Sequence, residues 1–186
     1  MASPSTSNTT TAKPVQPDLF ALFGLAPAYE IDLAALERTF FEKSKELHPD
    51  RFANAPANER VAALSKSRAL NDAYQTLKKP VSRAEYLLAQ HGMVIADNER
   101  IDPSLGAAFL MEILELREEL AEARAAGKLD VVAQKQDAMK ARRKSVLASL
   151  PALFAASDLV AIKNQLIVLR YLDRYLEECD AALDED

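Results

Sequence analysis

Pro49 interrupts what would otherwise read as one long helix, and it constrains the fold more than any other residue. Upstream, from Asp32 to Leu47, the apolar residues Leu33, Leu36, Phe40 and Leu47 share a stripe with Ser44. Offsets of three and four residues describe one face of a helix. Pro49 cannot continue that helix, and its ring pushes His48 out of the helical region. A second helical pattern begins at Ala57 and runs to Leu77. His48-Pro49-Asp50, followed by Arg51 and Phe52, is therefore predicted to be an exposed polar turn between two helices. It holds an imidazole, a rigid ring and a carboxylate at fixed spacing. Taken alone, the tripeptide could equally be a helix stop followed by an ordinary turn residue.

The rest of the chain reads as helix. It has 4 glycines in 186 residues and no long alternating β-branched run, which predicts an all-α fold. Residues 1–16, rich in Ser, Thr, Pro and Asn, read as a disordered tail. Asp18 can cap a short helix carrying Leu19, Phe20, Leu22 and Phe23 and closed at Gly24, and Asp32 caps the second helix. The third helix is expected to pack Val61, Leu64, Leu70, Ala73, Tyr74 and Leu77 against the second. Pro80 opens a short apolar fourth helix, ended at Gly92 and expected to pack into the C-terminal half of the chain. Residues 17–92 form the first predicted domain. Residues 93–103 form a connector with turns at Asp97-Asn98 and Asp102-Pro103. Three further helices, over 104–126, 128–150 and 157–183, are separated by Gly127 and by Pro151 with its neighbours. Short connections make them antiparallel, so 104–186 is predicted to be a three-helix bundle.

Composition excludes several classes of function. A net charge of −5 argues against general nucleic-acid binding. The single cysteine, Cys179, allows no internal disulfide, and two histidines with one cysteine make no familiar metal spacing. No metal and no cofactor are expected. No apolar run reaches the roughly 20 residues of a membrane helix, and the N-terminal residues resemble neither a secretory signal nor a presequence. The expected location is the cytoplasm, away from membranes.

Two surfaces stand out. On the second helix, Arg38, Phe41 and Lys45 share an exposed flank beside the loop, with Glu42 and Glu46 also outward. In the first bundle helix, Leu105, Phe109, Ile113, Leu116, Leu120 and Ala123 fall within roughly 80° of one another and suffice as a core stripe. Leu110, Met111 and Leu114 fall outside it, on an arc shared with Ala107, Ala121, Arg117 and Glu118 and edged by Glu115 and Glu122. Such an arc is either an apolar binding strip rimmed by charge or a face packed on another part of the chain. The middle bundle helix carries Lys135, Lys140, Arg142, Arg143 and Lys144, read as a solvated face paired with acidic neighbours.

The order of short helix, helix, His-Pro-Asp loop, long helix and short helix resembles the J domain of co-chaperones. Leu70-Asn71-Asp72-Ala73-Tyr74-Gln75-Thr76-Leu77 and Pro80-Val81-Ser82-Arg83-Ala84-Glu85-Tyr86 resemble the end of that family's third helix and the start of its fourth. Phe109 to Leu120, Arg83-Ala84-Glu85-Tyr86-Leu87-Leu88 and Leu19-Phe20-Ala21-Leu22-Phe23-Gly24-Leu25 are similar, more specifically, to HscB, the J-type co-chaperones of iron–sulfur cluster biogenesis. That resemblance implies a bundle that binds the iron–sulfur scaffold protein IscU. It also implies a J domain that engages the DnaK-like ATPase HscA and stimulates its ATP hydrolysis. The chaperone-contacting positions are then His48, Pro49, Asp50 and Arg51 with Arg38, Phe41 and Lys45. The scaffold-binding positions are Leu110, Met111, Leu114, Glu115, Arg117, Glu118 and Glu122, with Tyr171 where the family more usually has Phe. Cysteine pairs that bind zinc in some eukaryotic relatives are missing, which points to the bacterial type.

Two other functions compete. A general J protein would deliver unfolded clients, but the chain lacks a Gly/Phe-rich linker and Cys-x-x-Cys repeats, and its second helix carries acidic residues. An enzyme using His48 and Asp50 as an acid–base pair would need an enclosed pocket, which a turn between surface helices does not supply.

Overall fold

The structure, a computed structural model, describes residues 18–96, 99 and 103–184, with side chains from 106 onward in the helix that opens at Pro103. The predicted tail over 1–16, the turn at Asp97-Asn98, Asp102 and the Leu105 side chain lie outside the described residues. The elements are α1 (Leu19–Leu22), α2 (Leu33–Glu46), a 3₁₀ turn (Pro49–Phe52), α3 (Ala57–Lys78), α4 (Pro80–Gln90), α5 (Pro103–Ala125), α6 (Leu129–Ala155) and α7 (Leu159–Leu183). No strand occurs among the described residues.

Carboxylate caps start the first helices as the sequence predicts. Asp18 accepts from the Phe20 amide at 3.1 Å, and Asp32 accepts from the Ala34 and Ala35 amides at 2.9 and 3.0 Å. The α2–α3 hairpin closes around Leu36, Leu70, Ala73, Tyr74 and Leu77, all buried. The Phe40 ring stacks on Tyr74 with centroids 4.0 Å apart, an arrangement worth about 0.5–1.5 kcal/mol beyond its buried area.

Three expectations for this half are corrected. Val61 and Leu64 are 63% and 65% exposed, and Leu33 is also exposed. The helical period gives the reason: at about 100° per residue, Val61 lies opposite Leu70, and Leu64 lies roughly 120° from it. Ala63, in register with Leu70 and Leu77, takes the buried position near the hairpin tip.

Sequence periodicity alone did not single out Arg83 as a structural centre. It is 7% exposed, and it donates from Nε to the Tyr29 carbonyl at 2.6 Å and from Nη1 to the Leu77 carbonyl at 2.5 Å. Its guanidinium lies 5.1 Å from the centre of the Tyr29 ring, whose other stacking partner is Phe154 of α6 at 4.6 Å. Burial lowers the Arg83 pKa and raises that of the Tyr29 phenol. One residue thereby joins the α1–α2 loop, the end of α3 and α4, and braces the ring that touches the bundle.

α4 packs on α7 as its apolar sequence predicts. Ala84, Leu87 and Leu88 share a core with Leu150, Ile162, Leu166, Ile167 and Leu169. A second core, inside the bundle, gathers Ile113, Leu120, Ala123, Val132, Met139, Leu172, Tyr175, Cys179 and Ala182.

Pro151 does not end its helix. α6 continues to Ala155, because Leu150 is fully buried and Phe154 stacks on Tyr29. Those contacts outweigh the roughly 3 kcal/mol that an interior proline costs. The break falls instead at Ser157, held at φ 54°, where the Asp158 amide donates to the Leu153 carbonyl at 3.1 Å.

Replacing Arg83 by Met should cost on the order of 2–4 kcal/mol, since it strips two buried carbonyls of their charged donor while keeping most of the volume. Urea unfolding followed by far-ultraviolet circular dichroism measures this. An unchanged midpoint would mean that water reaches both carbonyls.

Candidate functional site

The loop is built by local chemistry alone. Pro49 presets the first residue of a 3₁₀ turn, and His48 caps it, its Nδ1 accepting from the Asp50 amide at 3.3 Å. The Asp50 carboxylate lies 3.5 Å from the same Nδ1. His48, Pro49, Asp50 and Arg51 are all exposed. Among the described residues Asp50 anchors no neighbouring element through its side chain, and its carboxylate is 90% exposed. On α2, Arg38, Phe41 and Lys45 are exposed as predicted, with Glu42 and Glu46 beside them. The tip also carries a shallow apolar groove lined by Leu47, Pro49, Phe52, Arg60, Ala63 and Leu64. Sequence reading missed it by assigning Leu64 to the core.

The second surface lies between α5 and α7. Leu110, Ile113, Leu114, Arg117 and Tyr171 line an open groove of about 260 Å³. Tyr171 meets the edge of Phe109, with ring centroids 5.8 Å apart. Met111 and Leu114 are 58% and 59% exposed, so the arc outside the core stripe is not covered by the chain's own helices. Leu110 is half-buried where the groove begins, and Glu115, Glu118 and Glu122 stand exposed along the outer edge. Arg117 is half-buried and donates to Glu178 of α7 at 2.6 Å.

Charge pairs hold the walls of this groove together from the far side. Arg142 of α6 grips both oxygens of Glu112 at 2.5 and 2.9 Å and lies over the Phe109 ring, Lys135 pairs with Glu119, and Arg143 pairs with Asp173 at 2.5 Å. The basic run on α6 therefore bonds to both neighbouring helices, while Lys144 faces solvent. Ile113 was expected only as core, yet it also forms the groove floor.

The thiol and the buried phenol of the bundle lie away from both surfaces. Cys179 and Tyr175 are fully buried in the second core. Burial raises the thiol pKa and pushes that of the Tyr175 phenol up to about 12. The Tyr175 hydroxyl donates to the Leu116 carbonyl at 3.2 Å. Both groups thus serve packing. Among the described residues no set of three or more His, Cys, Asp or Glu side chains is placed to hold a metal ion. No described helix is long and apolar enough to cross a membrane.

Known proteins share this arrangement. A family model described as the HscB C-terminal oligomerisation domain matches residues 105–180. A co-chaperone protein HscB homolog of Neisseria meningitidis is 36% identical over 164 residues, covering 88% of this chain and 98% of its own. The structure of chaperone HscB from Vibrio cholerae superposes with a TM-score of 0.76 at 36% identity, over 90% of this chain and 98% of that one. Human co-chaperone HscB gives the same TM-score of 0.76 at 29% identity, over 91% and 83%. An N-terminal J domain whose His-Pro-Asp turn lies bare, a C-terminal three-helix bundle and this likeness along nearly the whole length together show that the chain belongs to the HscB family of co-chaperones.

Proposed function

We propose that this co-chaperone binds the iron–sulfur scaffold protein IscU through the α5–α7 groove and delivers it to HscA in the cytoplasm. Its His48-Pro49-Asp50 loop then stimulates ATP hydrolysis by HscA, aiding cluster assembly and transfer. The observation that carries this reading is the apolar strip of Leu110, Met111 and Leu114 beside Tyr171, of which Met111 and Leu114 are exposed among the described residues and which Glu115, Glu118 and Glu122 rim. A methionine at its centre suits a surface that adapts to a partner. An acidic rim around an apolar centre selects a partner with basic groups flanking an apolar anchor.

The co-chaperone makes no covalent chemistry in this mechanism. The loop and the Arg38, Phe41 and Lys45 flank, with Arg51, bind the hydrolysis-competent conformation of HscA more tightly than the other. Hydrolysis accelerates by population shift, and the ATPase supplies every catalytic group.

Three outcomes test this reading. Asp50→Asn should abolish stimulation of HscA while leaving thermal unfolding within about 0.5 kcal/mol of wild type, since the carboxylate is exposed. Normal stimulation by that variant would remove the loop from the mechanism. Arg38→Ala with Lys45→Ala should slow association with HscA and flatten its salt dependence, because exposed charges act over roughly 8 Å at physiological ionic strength. Stopped-flow association at several salt concentrations reads this, and parallel slopes would make the flank a merely solvated face.

Changing Leu110, Met111 and Leu114 together to Ala should cost on the order of 1–2 kcal/mol of scaffold affinity per side chain. Stimulation of HscA in the absence of scaffold should persist. Calorimetric titration with scaffold, beside a thermal melt, decides the matter. Undiminished binding with an unchanged melt would place the scaffold elsewhere.

A further inference from the structure

The tip of the α2–α3 hairpin is hollow where the core stripe of α3 runs short. Ala63 holds the register that Leu70 and Leu77 hold further along the helix, and all three are buried. An alanine in that register leaves space between α3 and the 3₁₀ turn. The space is the groove of about 200 Å³ lined by Leu47, Pro49, Phe52, Arg60, Ala63 and Leu64. Leu64 on its rim and Val61, one turn earlier on α3, both stay exposed. Apolar surface therefore continues from the groove onto the outside of the helix.

The size and edge of this groove decide what fits it. Pockets that enclose small ligands or cofactors run to roughly 300–1,000 Å³ and bury most of the ligand. This groove is smaller and shallow, which suits a side chain presented on a protein surface. Its edge is basic. Arg60 stands one turn before Leu64 on the same face of α3, is exposed, and forms no ion pair among the described residues. Arg51 is exposed on the far side of Pro49. An apolar side chain with a neighbouring carboxylate satisfies both the groove and its rim.

The groove is also continuous with the loop. Pro49 is at once one of its walls and the central residue of His48-Pro49-Asp50. A protein that closes over Asp50 reaches the groove across Pro49 alone, whereas the α5–α7 groove belongs to the bundle. A second copy of this chain seated here would cover Pro49 and mask the loop.

We propose that the groove at the hairpin tip is a second contact for HscA, taking an apolar side chain of the ATPase while a carboxylate beside it meets Arg60. Leu64 and Arg60 set affinity and partner choice, and Asp50 acts on hydrolysis. This inference rests on the reading that the loop engages HscA.

The test uses the full chain and purified HscA. Leu64→Ser removes the apolar rim at an exposed position, Leu64→Met keeps it, and Arg60→Glu reverses the charge. Half-maximal stimulation of the ATPase should need about tenfold more Leu64→Ser than wild type, the loss expected of a buried apolar anchor. Leu64→Met should need nearly the wild-type amount. Arg60→Glu should also need more and associate more slowly, with its gap to wild type closing as salt rises. All three should keep the maximal rate at saturation, unlike Asp50→Asn, and should leave scaffold affinity and thermal melts unmoved. A half-maximal concentration unchanged in Leu64→Ser would overturn the proposal, as would a lower maximal rate with no such shift. Should Leu64→Ser melt early, Arg60→Glu decides in its place. A wild-type dimer in sedimentation that Leu64→Ser dissolves, with HscA stimulation unaltered, would give the groove to a second copy instead. Wild type that fails to stimulate HscA at any concentration overturns the functional reading beneath, a result distinct from a shift confined to the groove variants.

Discussion

α7 is the helix on which both halves of the molecule are built. Its first half gives Ile162, Leu166, Ile167 and Leu169 to the core that α4 completes. Its second half gives Leu172, Tyr175, Cys179 and Ala182 to the core of the bundle. A helix apolar around so much of its circumference has no stable solvated state and must be enclosed. The J domain and α6 cover one end, and α5 with the rest of α6 covers the other. The relative placement of loop and groove follows from this shared burial, so the His-Pro-Asp loop and the α5–α7 groove are carried on one continuous packed body.

Apolar burial carries little direction, and the seating of the J domain on α6 and α7 is fixed by groups that need particular partners. Arg83 requires the Tyr29 and Leu77 carbonyls, and the Tyr29 ring beneath it stacks on Phe154. Arg170 requires Glu85 and the Ile95 and Ala96 carbonyls. A buried or half-buried guanidinium that loses its acceptors incurs a desolvation penalty that apolar contact cannot offset. Each arginine therefore adds directional specificity where the hydrophobic contact adds affinity.

Much of this was legible in the sequence because it depends on local rules. Helix caps at Asp18 and Asp32, the stop at Pro49 and the antiparallel bundle follow from backbone chemistry and periodicity. The exposed turn needs no tertiary partner, so neighbouring residues specify it fully. The misreadings share a different cause. Val61 and Leu64 were placed by residue type when their angular position pointed outward. Pro151 was read as a helix stop because a local penalty was not weighed against Leu150 and Phe154, whose packing partners lie far along the chain. Arg83 and Arg170 bond across separations that periodicity cannot register. The strip at Leu110, Met111 and Leu114 was visible as surplus apolar surface, but only the fold shows that no described helix covers Met111 and Leu114.

The way α5 is attached bears on why that strip is usable. A helix held mainly by apolar burial would turn its most hydrophobic arc inward, leaving nothing to offer a partner. α5 buries Ile113, Leu120 and Ala123, packs Phe109, Leu110 and Leu116 against the cores, and secures its flanks with Glu112, Glu119 and Arg117. Partly exposed ion pairs contribute little stability each, but they orient the helix about its axis. That rotation keeps Leu110 at the groove edge and leaves Met111 and Leu114 outward. Tightening α5 by moving leucines inward would stabilise the bundle and erase the surface. The surplus of apolar residues on α5 over what its core stripe needs is what leaves Met111 and Leu114 exposed.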